Sequence, residues 1–240
     1  MSQPVPVHPA VMLQQWRLLT FLHWRYPADA VQALLQDGLT VQTFDGTAWV
    51  GLVRFMMHGV RAPGVPSVPW LSRFPETNVR TYVEGPDGRV GIWFFSLDAA
   101  RLAPVLAGRT GYGLPYRWSS MRVTAWGAEL SYRCRRRWPG PEGAVCDAVV
   151  QAGARYEDHE LGALDHFLTD RFRLYSVVAG RLVGADADHP PWQLHRGIVR
   201  FLHQDLLQAG GLPAPQGDPL VHTSPGVKVR IGLWHGVPNR

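Results

Sequence analysis

Lysine is nearly absent from this chain. Lys228 is the one lysine among 24 basic residues in 240, and all the others are arginine. GC-rich coding alone gives such a bias. The functional reading is recognition of anions and carboxylates, which guanidinium forks bind bidentately. Cysteine is also scarce. Cys134 and Cys146 make neither a disulfide framework nor a zinc site. They flank the turn-rich segment Trp138 to Gly143, so they could face each other across a hairpin; free thiols in a reducing compartment are the expectation. Charged residues reach only 18%, too few for a disordered or solvating chain. No run approaches the roughly 18 apolar residues of a membrane helix. Met1 to Pro9 lacks a basic region followed by an apolar stretch, so no signal peptide is read and a cytoplasmic location is expected, with no membrane partner.

What is present is apolar and aromatic. Hydrophobic residues make up 46% and tryptophan occurs ten times. That is enough to bury a sizeable core and to wall a cavity. Residues 1–9 hold three prolines and read as a flexible tail; residues 10–240 read as a single domain.

Periodicity leaves Trp16 to Trp24 open between helix and buried strand. Pro27 to Gln36 predicts a short helix. Ala48 to Met57 predicts a buried strand. Arg61 to Pro75 is a long prolyl loop of the kind that often carries function. Asn78 to Glu84 alternates, and with Arg89 to Leu97 it predicts a hairpin about Pro86-Asp87-Gly88. Ser96 or Asp98 is expected to cap a helix through Leu106. A second hairpin, Met121 to Trp126 with Glu129 to Trp138, turns at Gly127. Ala144 to Ala152 is a further strand, and Glu157 to Leu168 a helix. Strands follow over Phe172 to Val178, Arg181 to Gly184 and Trp192 to Val199. Leu202 to Ala209 reads as a helix, and Asp218 to His222 and Val227 to Leu233 as closing strands. Many strands with few short helices predict one α+β, mainly β domain on a large, barrel-like sheet.

The usual chemical signatures are missing. No H-x-x-x-H or C-x-x-C pair occurs; Asp186, Asp188 and His189 read as a polar loop before a metal site. There is no G-x-S-x-G elbow, and Ser119-Ser120 has no identifiable base. Gly111-x-Gly113 lacks the rest of a dinucleotide fingerprint, and no cofactor is called for. Arg133 to Arg137 is the densest basic stretch. In a strand Arg133, Arg135 and Arg137 share one face, but Trp138 alone supplies too little aromatic surface for nucleic acid. The set that points to a site is Arg54, Glu76, Arg80, Tyr116 and Arg117, polar residues beside apolar strands and sharp turns. Charges in an apolar cavity need partners, so these residues read either as an ion-pair network or as a ligand site.

Several segments carry a family likeness. Trp49 to Met57 (WVGLVRFMM), Phe74 to Val83 (FPETNVRTYV), Gly91 to Ala99 (GIWFFSLDA), Tyr112 to Tyr116 (YGLPY) and Phe167 to Tyr175 (FLTDRFRLY) resemble the YqjF-like family of uncharacterised bacterial proteins. The resemblance runs from about Trp16 to the C-terminus. That family looks like a distant branch of the acetoacetate decarboxylase-like superfamily. It therefore implies a large, curved, mostly antiparallel sheet closing into a cone-shaped barrel around a ligand cavity. In the decarboxylases a leucine–aspartate strand end leads into a helix and then a tyrosine–proline–lysine–lysine turn. Here Leu97-Asp98 leads to Leu114-Pro115-Tyr116-Arg117, so Tyr116 and Arg117 stand where the lysine pair would. Glu76 matches a pocket glutamate.

The departure has a chemical consequence. The decarboxylase lysine forms a Schiff base with a keto acid, and a neighbouring lysine lowers its pKa; that enzyme is the standard example of an amine activated this way. A guanidinium stays protonated and cannot replace it, and Lys228 alternates with Val227 and Val229 and points outward. The resemblance thus implies a small-molecule barrel without Schiff-base decarboxylation. Its expected pocket is lined by Trp49, Tyr82, Trp93 and Tyr116, with Arg54 beside it. Arg80 or Arg117 would hold an oxo, hydroxy or aromatic acid, and Glu76 would be the acid/base candidate, its proton affinity set by an arginine partner. The chemistry would be lysine-independent lyase, hydratase or isomerase chemistry. A ligand sensor or carrier, or an interaction protein using the Arg133 to Arg137 strand, are the alternatives.

Overall fold

A computed structural model describes residues 7–238. Fourteen strands form one sheet. In chain order they are β1 (Ala10–Tyr26), β2 (Thr40–Val41), β3 (Thr43–Phe44), β4 (Thr47–Arg61), β5 (Phe74–Glu84), β6 (Val90–Ala99), β7 (Tyr116–Trp126), β8 (Glu129–Trp138), β9 (Cys146–Arg155), β10 (Arg173–Val178), β11 (Arg181–Asp188), β12 (His195–Gln204), β13 (Leu220–Gly232) and β14 (His235–Gly236). Four helices decorate it: α1 (Ala28–Gln32), α2 (Leu102–Tyr112), α3 (Ala163–Thr169) and α4 (Leu206–Ala209). Pairing is antiparallel except for β6 with β7 and β6 with β10.

The pairings close on themselves twice. One circuit runs through seven strands: β6, β10, β11, β13, β1, β4, β5 and back to β6. The other runs through nine: β6, β7, β8, β9, β12, β13, β1, β4, β5 and back. The strands β13, β1, β4, β5 and β6 are common to both. They form a wall with an interior on each side, which explains why Leu19–Trp24 and Ala48–Phe55 are buried without a break. Strands buried on both faces read as continuous apolar runs.

One face of the wall packs Leu19, Phe21, Val53, Phe55 and Val229. The other packs Leu22, Trp24, Val50, Leu52 and Val79 against Cys134, Cys146 and Leu206. Between Arg17 and Thr20 a bulge breaks the register of β1 with β4, and Leu18 adopts φ 52° there. The bulge shifts the alternation: Met12, Gln14 and Trp16 face the same interior as Leu19 and Phe21. Two-fold periodicity fails at that point, so Trp16 to Trp24 is a strand whose sequence could not announce it.

Several local expectations change. The helix expected over Asp98–Leu106 is α2, which starts at Leu102, after Arg101, with no side-chain cap; Asp98 lies in β6, engaged elsewhere. Gly113, at φ 62°, ends α2. Its absent side chain leaves room for the Val177 carbonyl, which a Cβ there would meet at 2.0 Å. Glu157 to Leu168 is a short 3-10 turn followed by α3. Leu202–Gln204 extends β12, and α4 begins only at Leu206. The two expected closing strands are one continuous β13. Of the expected tail, residues 1–6 lie outside the described region. Val7 is buried, and its carbonyl accepts a hydrogen bond from Arg230. Cys134 and Cys146 are free and buried.

Candidate functional site

The seven-strand interior holds a cavity of about 510 Å³. Its mouth lies under the prolyl loop, where Val65 and Val68 are exposed. Its wall is mostly apolar, with Phe21, Phe55, Phe94 and Trp192 among the lining side chains. Polar groups enter from one strand above all. Glu76, Asn78 and Arg80 occupy alternate positions of β5 and all reach the cavity, as period-two alternation requires. Strand rise puts Glu76 and Arg80 about 13 Å apart along β5. Tyr116 comes from the start of β7, and Arg171 from the segment after α3.

Glu76 is buried, and the Tyr116 hydroxyl donates a hydrogen bond to its Oε2 at 3.0 Å. Burial pushes the Glu76 carboxyl up to about 7; the hydrogen bonds from Tyr116 and Asn78 oppose that rise and the Asp98 charge adds to it. The same burial, with the Glu76 charge and hydrogen bond, holds the Tyr116 phenol well above its ordinary value. Tyr116 reaches Glu76 because Gly108 leaves space. A Cβ at Gly108 would lie 2.3 Å from Tyr116 Cδ2.

Apart from the exposed Arg61, which bonds the Gly59 carbonyl, the arginines of the cavity divide into two kinds. Arg173 pairs with Asp87 and Asp186. Arg80 and Arg171 form no ion pair among the described residues. Arg80 makes one long hydrogen bond, 3.4 Å to the Leu168 carbonyl, and lies over Phe21 and Tyr82. Arg171 lies 4.5 Å over Phe167, with its Nε and one terminal nitrogen unpartnered. Burial, more than the neighbouring Arg80 charge, lowers its pKa to about 10, so the Arg171 guanidinium is charged at neutral pH.

Other expected pocket residues lie off the cavity wall, each for a geometric reason. Arg54 points from β4 into the nine-strand interior, fully buried beside Tyr132, with all three nitrogens unpartnered. Arg117 follows Tyr116, so alternation turns it away; it is half-buried, and burial followed by the charges of Arg136 and Arg109 lowers its pKa. The Tyr82 hydroxyl bridges the Leu168 carbonyl and His23 Nε2. Trp49 packs with Tyr82 and Ile92, and Trp93 against Leu39, Val83 and Tyr175. Among the described residues no arginine pairs with Glu76, and burial governs its proton affinity instead. Lys228 is exposed on β13.

Two polar elements escaped the sequence reading. Arg171 sits in a loop, where no periodicity assigns a direction. Arg136 was legible: Leu130, Tyr132 and Cys134 share its phase in β8, and all four are buried. Arg136 and Asp98 form a fully buried bidentate pair at 2.9 and 2.7 Å. Ser119 donates to the same aspartate at 2.7 Å. Asp186, Asp188 and His189 do not converge. Asp186 is held by Arg89 and Arg173, and no group of three or more His, Cys, Asp or Glu among the described residues could hold a metal ion. No helix of the described residues is long and apolar enough to cross a membrane.

Residues 13–228 match the model of the DUF2071 family, an uncharacterized conserved protein family. The chain belongs to that family. It is 34% identical over 212 residues to the uncharacterized protein YqjF of Bacillus subtilis (strain 168), covering 88% of this chain and 86% of that protein. Among solved structures it is similar to the enduracididine biosynthesis enzyme MppR complexed with pyruvate. There the TM-score is 0.66 at 16% identity, covering 100% of this chain and 93% of the other. It is also similar to acetoacetate decarboxylase from Legionella pneumophila. That TM-score is 0.66 at 12% identity, covering 100% of this chain and 92% of the other. The fold of this DUF2071 protein is therefore the acetoacetate decarboxylase-like one.

Proposed function

We propose that this protein is a small-molecule-binding barrel for a small oxo, hydroxy or aromatic acid. Arg80 and Arg171 hold the ligand carboxylate, and Glu76 exchanges a proton with it. One observation carries the reading: besides the exposed Arg61, two guanidiniums reach an apolar cavity without a carboxylate partner among the described residues. A buried charge is costly unless paired, and a ligand carboxylate supplies the missing partner in bidentate geometry. The pyruvate-bound MppR structure supports the ligand class by analogy of fold alone.

Glu76 titrates near the working pH, as a general acid/base should. The Tyr116 phenol keeps its proton, steadies the Glu76 carboxylate and adds no charge. With no amine at the Tyr116–Arg117 turn, a proton would leave the carbon next to a ligand carbonyl without a Schiff base. Such a step belongs to lyase, hydratase or isomerase chemistry.

The test is proton exchange at C3 of pyruvate in D2O, followed by NMR beside calorimetric binding. Wild type should bind and exchange. Glu76→Gln should bind but lose about 100-fold or more in exchange, and Arg80→Met should lose binding. Binding without exchange in wild type would assign a carrier or sensor. Unchanged binding in Arg80→Met would contradict the assigned pocket.

A further inference from the structure

The outer face of β7, β8, β9 and β12 belongs to neither interior. With Cys134 and Arg136 inside, Arg133 and Arg135 stand outside, exposed. Directly across the β7–β8 ladder, Arg122 faces Arg133, Thr124 faces Ser131 and Ser120 faces Arg135. Arg122, Thr124, Ser131 and Arg133 bound a surface groove of about 220 Å³. Like charges directly opposite in an antiparallel pair destabilise a sheet. The β8–β9 register sets Asp147 across from Arg133, but its carboxylate accepts from the Cys134 N–H, and neither guanidinium forms an ion pair among the described residues. Two guanidiniums with two hydroxyls at hand are a donor set for a tetrahedral oxyanion.

The same face carries exposed aromatic surface that the sequence did not place there. The register runs from Thr124 to Ser131, to Val149, to Phe201 across the four strands. Phe201 is 52% exposed and Trp126, at the end of β7, is 88% exposed. Strand spacing and rise put the Phe201 backbone about 14 Å from the midpoint of the Arg122–Arg133 pair, which the long arginine side chains and the length of a nucleotide together span. Along the sequence Trp138 alone stands at the end of the arginine run; folding brings Phe201 to it from a distant strand.

We propose that this face binds single-stranded nucleic acid, with a backbone phosphate between Arg122 and Arg133 and a base stacked on Phe201. A guanidinium-lined groove beside an aromatic platform is the chemistry of such binding. A second copy of the chain fits poorly where a two-fold axis crosses the groove, because the same guanidiniums would then face each other. An anionic membrane also fits less well: Phe201 and Val149 lie within a sheet, not on an amphipathic helix that can sink into the headgroups. The proposal does not depend on what the cavity holds.

The test uses the full chain and fluorescein-labelled oligo(dT) and oligo(rU) of about twelve nucleotides, read by fluorescence anisotropy at several salt concentrations. Wild type should bind saturably and weaken as salt rises. Arg122→Ser with Arg133→Ser should lose tenfold or more in affinity and lower the log–log salt slope by about 0.7, the share of one phosphate. Phe201→Ser should lose about fivefold or more with the slope unchanged, an effect that pure charge attraction does not give. The substituted side chains are exposed, and unchanged melting temperatures would show that the variants fold. No binding at low salt, wild-type affinity in either variant, or binding to phosphatidylserine vesicles but to neither oligomer would overturn the proposal.

Discussion

Neighbouring strands β5 and β6 carry a carboxylate on each face of the shared wall, and the two meet opposite fates. Glu76 lies beside Ala99 and Asp98 beside Thr77, so they point into different interiors. On the nine-strand side Asp98 receives Arg136 bidentately, plus Ser119. On the seven-strand side Glu76 receives only the neutral Tyr116 and Asn78, while Arg80 and Arg171 stay without ion-pair partners among the described residues. The nine-strand interior satisfies its carboxylate within the chain, although Arg54 there stays unpartnered beside Tyr132. The seven-strand interior holds a cavity in which a ligand can meet the unpaired guanidiniums, at a cost in stability that binding offsets.

The sharpest way to break this comparison is to remove one charge from each side. Asp98→Ala strands Arg136 in a buried site and should cost about 3–5 kcal/mol in urea unfolding. Arg80→Met removes a charge that has no partner and should cost about zero or stabilise the free protein. Equal losses would erase the distinction between the two interiors.

Glu76 offers the next largest effect. Its folded pKa of about 7 lies above the ordinary 4.5, so the folded state holds the proton more tightly. The stability this contributes is fully present below about pH 4.5 and is lost as pH rises through about 7, an effect of about 3 kcal/mol. Glu76→Gln should remove that slope between pH 4.5 and 7.5 in denaturation midpoints. A slope that persists would place the titration elsewhere.

Gly108→Ala should cost about 1–3 kcal/mol by overpacking against Tyr116. By displacing the ring from Glu76 it should raise the Glu76 pKa further, which carbon-detected NMR can follow. The smallest effect is expected at Lys228. Lys228→Gln should stay within about 0.5 kcal/mol of wild type, and borohydride with pyruvate should leave Lys228 unmodified. A covalent adduct there would overturn the argument against Schiff-base chemistry.

The sequence revealed more of the fold than of the site. Hairpins such as β5–β6 and β7–β8 were legible because their turns carry glycine and their strands alternate. β1 was not, because both faces are buried and the bulge at Leu18 shifts the phase. Asp98 looked like a helix cap because aspartate before a helix usually is one; its partner Arg136 sat inside an arginine run that read as surface. Glu76, Arg80 and Tyr116 meet at one cavity because β5 alternation and the α2–β7 turn bring them there. Arg54 and Arg117 share their chemistry but occupy the opposite phase of β4 and β7. The outcome depended on side-chain direction, which residue type does not encode.

The most direct test is calorimetric. Wild type and Arg80→Met would each be titrated with small oxo, hydroxy and aromatic acids and with the corresponding neutral amides. The cavity as described should favour at least one acid over its amide by about tenfold or more, and Arg80→Met should abolish that preference. A preference that survives the substitution, or a wild type that binds acid and amide alike, would contradict the claim that this cavity keeps Arg80 and Arg171 for a carboxylate.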